Sequence, residues 1–143
     1  MARILAIDYG QKRVGIAATD ENIIIATPLI TLPAAQTIDW VVNYIKTEQV
    51  GTIVVGKAVD MKGNASDASR FIEPFVNRLR NALKDKNIEI VRMDERFTSV
   101  MARQALIEAG VSNKVRKDKG IVDKVSATII LQSYMQMLTN RNR

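Results

Sequence analysis

Apolar positions recur along this chain in two rhythms, and each change of rhythm marks an element. "ILAI" (4–7) is apolar at both parities, the pattern of a central strand covered on both faces. "VGIAAT" (14–19) and "IIIATPLI" (23–30) follow, divided by the turn-forming "DEN" at 20–22, which reads as a hairpin. Three antiparallel strands therefore open the chain. The spacing turns helical over 34–49, where Ile38, Val41, Val42 and Ile45 share a face. "TIVVG" (52–56) is a fourth strand. A second helix spans 66–84, with Phe71, Phe75, Leu79 and Leu83 as its stripe and Pro74 signalling a kink or a late start. "EIVRM" (89–93) is a fifth strand, and Thr98 or Ser99 caps a helix that ends at Gly110. After the basic segment "VSNKVRKDKG", a last helix runs from about Ile121 to Leu138.

The order β-β-β-α-β-α-β-α-α predicts an α/β fold, a five-stranded mixed sheet with helices on both faces. A Rossmann fold would alternate strand and helix from the start, and this chain does not. No repeat, low-complexity tract or Pro/Gly/Ser linker interrupts it, so one domain over residues 1–143 is expected.

Composition narrows the chemistry. Cysteine and histidine are both absent, which excludes disulfides, thiolate or imidazole zinc sites, and Ser-His-Asp or Cys-His hydrolysis. Any hydrolysis must rest on carboxylates, lysine, hydroxyls or a metal held by oxygen. Apolar residues make up 47% of the chain, enough for a substantial core, yet no run is long enough to span a membrane. The N-terminus lacks a signal-peptide pattern, so the expected address is the cytoplasm, with no membrane partner. Lys and Arg number 21 against 15 Asp and Glu, a net +6 that favours polyanions, nucleic acid above all.

Three acidic positions stand out against that basic background. Asp8 shares strand parity with Ile4 and Ala6 and emerges at the C-terminal end of a central strand, where α/β sheets gather ligands. A turn aspartate is the equal alternative. Asp123 lies four residues before Ala127, on the stripe of Ala127, Ile130, Leu131, Tyr134 and Leu138, so it points at the sheet. Its plainer reading is a first-turn carboxylate favoured by the helix dipole. In "MDERFTS" (93–99), Asp94 and Glu95 project to opposite faces of a continuing strand, so only one can join a site. Arg96 beside them suits an acid or a phosphate.

Taken together, three carboxylates from separate elements make an oxygen-only site suited to Mg²⁺ or Mn²⁺. Such a site can hold two ions about 3.5–4 Å apart that clamp the attacking and leaving oxygens of a phosphodiester. Lys12 and Arg13 in "GQKRVG" would then approach the substrate backbone. They read equally as solvated turn cations, with Gly10 supplying a positive φ, and the spacing is not that of a P-loop. Residues 111–124 carry Lys114, Arg116, Lys117, Lys119 and Lys124, a phosphate-gripping loop or a solvated linker. Five such contacts to a single strand would give a slope of log K against log[salt] of about −3.5. Trp40 reads as packing, and aromatics at 5% of the chain argue against a base-stacking platform.

"IDYGQKRVGIAATD", "IVVG…MKGNAS", "DERFTS" and "DKVSATIILQSYM" occur in the order and approximate spacing of the YqgF/RuvX family, which the chain resembles from about residue 3 to 138. The resemblance implies a ribonuclease-H-like fold related to the RuvC resolvases. It implies a metal-dependent nuclease that processes the 5′ end of the 16S ribosomal RNA precursor, using Mg²⁺ or Mn²⁺. A Holliday-junction resolvase and a non-catalytic, RNA-binding assembly factor are the alternatives. Carried across residue by residue, the family's carboxylates fall on Asp8, on Glu95 with Asp94 adjacent, and on Asp123, as catalytic groups and metal ligands. The partners implied are structured or single-stranded RNA, or branched DNA, with the protein a monomer or a homodimer. The chain departs from the family in "GKAVDMKGNAS" (56–66): Lys57 and Ala58 replace Leu-Pro, and Lys62 replaces the acid before Gly63.

Overall fold

The two-sided apolar pattern of the first strand is answered by helices on both faces of a sheet. The computed structural model describes residues 2–10, 12–57, 69–94, 107–110 and 119–141. Its strands are β1 (Arg3–Tyr9), β2 (Arg13–Thr19), β3 (Ala26–Pro33), β4 (Val50–Lys57) and β5 (Glu89–Asp94). They form one sheet in the order β3-β2-β1-β4-β5. The pairs β1/β2 and β2/β3 are antiparallel, and β1/β4 and β4/β5 are parallel, the mixed sheet that the element order predicts. Helices α1 (Thr37–Thr47), α2 (Ser69–Ala82) and α3 (Lys119–Arg141) complete the described elements.

Strand alternation sorts the core into two layers. Leu5, Ile7, Val14, Ile16, Ile53 and Val55 pack with Val41 of α1 and with Ile72, Phe75 and Leu79 of α2. Ile4, Ala6, Ala17 and Val54 pack with Ala127, Ile130, Leu131 and Tyr134 of α3. Each large side chain fully buried contributes about 1.5–3 kcal/mol, so both layers hold helices whose own propensity could not. Trp40 stacks on Tyr44 at 4.9 Å and joins the first layer, which is the packing role expected of it. Among the described residues, no helix is long and apolar enough to cross a membrane.

Two elements differ from the sequence expectation. The third strand starts at Ala26 instead of residue 23, because the Asp20 carboxylate accepts hydrogen bonds from the backbone N–H groups of Asn22, Ile24 and Ile25. With Ile23 at φ 57°, this ties 20–25 into a wide turn and leaves Ile24 and Ile25 exposed. Those three bonds, Ile25 and Ile24 foremost, hold the Asp20 carboxyl below the usual carboxylate range. On α2, Phe71 is 40% exposed, and the buried stripe is Ile72, Phe75, Val76, Leu79 and Leu83. Steps of four residues overshoot a 3.6-residue turn, so a stripe of fours drifts off the core, while one mixing threes and fours stays on it. The helix over 98–110 falls mostly outside the described residues. Its end does not: Gly110, where the helix was expected to end, has φ +75° and donates to the Ile107 carbonyl, a left-handed stop.

Candidate active site

Asp8 lies one residue before the end of β1, where the two faces of the strand part. Tyr9 turns to the α2 side and stacks on Phe75, with ring centroids 4.1 Å apart. Asp8 has the parity of Ile4 and Ala6 and so continues their row on the α3 side. Directly across from it on β2 is Gly15, a pairing that sets α-carbons about 4.5–5.5 Å apart. A β-carbon on Gly15 would overlap the carbonyl group of Asp123 and come within 2.9 Å of the Lys124 nitrogen. The first turns of α3 therefore rest on the bare backbone of Gly15. That contact brings Asp8 and Asp123 to one level of one face, although 115 positions separate them in the chain.

The small residues around this point are what the approach requires. Ala6 and Ala17 on the strands, and Ser126 and Ala127 on the helix, are all fully buried. Gly15 had no role in the sequence reading. Its signal was there, because a glycine inside an apolar strand often marks close approach by another backbone.

Arg13 begins β2 with the parity of Gly15, and its Nε donates to Oδ2 of Asp123 at 2.9 Å. The Arg13 side chain is 44% exposed and that of Asp123 is 24% exposed. The cation expected to meet substrate thus also neutralises the helix carboxylate. The turn before it is closed by Gly10, whose N–H donates to the Arg13 carbonyl at 3.0 Å. Gly10 does not have the positive φ that the plainer reading of this turn offered for it. It is needed because a β-carbon there would lie 2.6 Å from the Arg13 carbonyl oxygen. Lys12 is exposed, and its carbonyl accepts from the Ala34 N–H at 2.9 Å.

On β5, Val91 and Met93 pack on the α3 side, while Arg92 turns to α2. Arg92 Nη1 donates to Glu73 at 2.7 Å, and its other nitrogens reach the carbonyls of Val55 and Gly56 at the end of β4. This tie joins the ends of two strands beside the site, and the charge pattern alone did not single it out. Asp94 closes β5 in backbone register with Lys57. Glu95, Arg96, Lys114, Arg116 and Lys117 lie outside the described residues, as do the altered positions Ala58 and Lys62. Lys119 starts α3, but its side chain is likewise outside them.

Two carboxylates and a guanidinium are what the described residues supply. Among them, no three acidic groups form a metal-holding cluster. The donors are oxygens alone, and Asp123 already binds a cation in the form of Arg13. An all-oxygen donor set of this kind suits a hard divalent ion.

Residues 2–137 match the family model described as "RuvX: Holliday junction resolvase". A protein of Phocaeicola vulgatus is 49% identical over 136 residues, covering 95% of this chain and 96% of its own length. One from Flavobacterium johnsoniae is 45% identical over 135 residues, covering 94% and 96%. Both bear the name "Putative pre-16S rRNA nuclease". Among solved structures, Thermus thermophilus RuvC in complex with Holliday junction substrate superposes with a TM-score of 0.61. It covers 96% of both chains at 10% identity, a likeness of fold that confirms the ribonuclease-H-like architecture implied by the motifs.

Proposed function

This chain belongs to the RuvX family, and from that membership we propose that it is a metal-dependent nuclease that trims the 5′ end of the 16S ribosomal RNA precursor in the cytoplasm. The observation that carries the reading is the seating of α3 on Gly15, which sets Asp123 level with Asp8 on one face of the sheet. A carboxylate pair of that kind, in a basic protein without histidine or cysteine, suits phosphodiester hydrolysis better than any other chemistry open to the chain.

Asp8 and Asp123 would hold Mg²⁺ or Mn²⁺, with Glu95 as the third carboxylate. Glu95 is the acid that the motif "DERFTS" offers at the family's position, next to Asp94 at the end of β5. When bound, one or two such ions supply Lewis-acid polarisation of the phosphodiester and acidify water. Asp8, on a central strand, gives a fixed reference point, and Asp123 rides on a helix that the Gly15 contact holds in place. Lys12, Arg13, Arg96, Lys114, Arg116, Lys117 and Lys119 would grip phosphates, a contact that carries no sequence preference of its own. The names of the relatives at 45–49% identity support ribosomal RNA as substrate. The family description supports the second reading, a junction resolvase.

Cleavage of a labelled panel separates these readings: a ribosomal precursor 5′ leader, single-stranded RNA and a four-way DNA junction, each with Mg²⁺ or Mn²⁺. Wild type is expected to cut the leader. Asp8→Asn should lose at least about a hundredfold in rate, the scale of one misplaced catalytic group, while binding RNA as before. Cutting of the junction alone would assign the protein to the resolvases. Equal RNA binding by both proteins with no cleavage of anything would make it an assembly factor.

A further inference from the structure

Arg13 and Asp123 come from opposite ends of the chain, 110 residues apart, and meet at a carboxylate proposed to hold metal. Among the described residues they meet through one nitrogen and one oxygen, where a guanidinium and a carboxylate can also engage two and two. Arg13 is the more exposed partner, at 44% against 24%, so it is the side chain with solvent to move into. Asp123 is held by its helix, whose backbone rests on Gly15.

A divalent ion bound through Asp123 would repel a guanidinium bonded to the same carboxylate oxygen. We propose that Arg13 is a latch on Asp123, a positioning residue that holds this carboxylate in the metal-free protein and is displaced when a divalent cation binds. Released, Arg13 stands at the start of β2, beside Lys12 in the same turn, as a cation free to take a substrate phosphate. One side chain would then couple two events, because a metal that frees Arg13 strengthens phosphate binding, and bound phosphate, by holding Arg13 away, strengthens metal binding to the same degree. The inference rests on the metal-binding reading of the site.

Two measurements on the intact chain test it. The first is Mn²⁺ affinity, read from the paramagnetic resonance signal of free Mn²⁺, for wild type, Arg13→Gln and Lys12→Gln. Loss of a partly exposed ion pair that competes with the metal should tighten Mn²⁺ binding by about fivefold in Arg13→Gln. Lys12→Gln removes an equal charge from the neighbouring exposed position and should change affinity by less than about twofold. Equal affinity in Arg13→Gln and wild type would overturn the latch, and so would equal tightening in both variants, which would signify only the general field.

The second is the Arg13 Nε–Hε resonance, assigned by its loss in Arg13→Gln. It should be protected from solvent exchange in metal-free wild type and unprotected in Asp123→Asn. Saturating Mg²⁺ should remove the protection in wild type, whereas protection that persists would overturn displacement. Failure of the metal reading looks different: no protein in the set binds Mn²⁺, yet the resonance still distinguishes wild type from Asp123→Asn.

Discussion

On the α1–α2 side of the sheet, the buried residues of β1 and β2 are Leu5, Ile7, Val14, Ile16 and the smaller Ala18, while on the α3 side the same two strands present Ile4, Ala6, Asp8, Gly15 and Ala17. The bulky side fills the space under two helices and supplies much of the burial that stabilises the chain. The small side gives up that volume. In return, the backbone of α3 comes close enough for a carboxylate on a helix to sit level with one on a strand. Stability and site geometry are thus drawn largely from opposite faces of the same strands.

Mutations that treat the faces differently sharpen this contrast. The largest expected effect on stability comes from the bulky side. Leu79→Ala should cost about 2–5 kcal/mol, the range for a buried leucine truncated to alanine, in chemical denaturation. The protein that remains folded should keep wild-type cleavage, and a large loss of specific activity would break the division between faces. On the small side, Gly15→Ala should do the reverse. A methyl group against the Asp123 carbonyl must push α3 outward, and a displacement of about 1 Å can cost a hundredfold in rate. Mn²⁺ affinity should fall with it, while the far-ultraviolet spectrum stays native; unchanged metal affinity would show that the contact does not set the site.

The smallest effect belongs to a region outside both layers. Asp20→Ala removes the acceptor for three backbone N–H groups and should lower Tm slightly at neutral pH. The Asp20 carboxyl is shifted downward on folding, so its contribution is complete above the ordinary carboxylate pKa and is lost as pH falls through the folded value. The gap in Tm between wild type and variant should therefore close in acid. A gap that widened in acid would contradict the hydrogen bonding at the turn.

Much of the architecture was legible in the residues. Parity alone places Asp8 with Ile4 and Ala6, and helical spacing alone places Asp123 with Ala127 and Ile130. The third strand was misplaced because Ile23, Ile24 and Ile25 look like strand residues, and their hydrophobicity says nothing of the carboxylate that ties up their backbone. Phe71 was misassigned because four-residue steps approximate a helical turn only over short spans.

By itself, then, the sequence determined the order and type of the described elements, the faces on which Asp8 and Asp123 lie, and the exclusion of histidine and cysteine chemistry. These are properties of short windows and of composition, because periodicity is set by the local backbone. Only the tertiary structure decided that Gly15 is the seat of α3 and that Arg13 finds its partner 110 residues away. Such contacts depend on how closely elements pack, and close packing is a matter of the side chains that are missing as much as of those present.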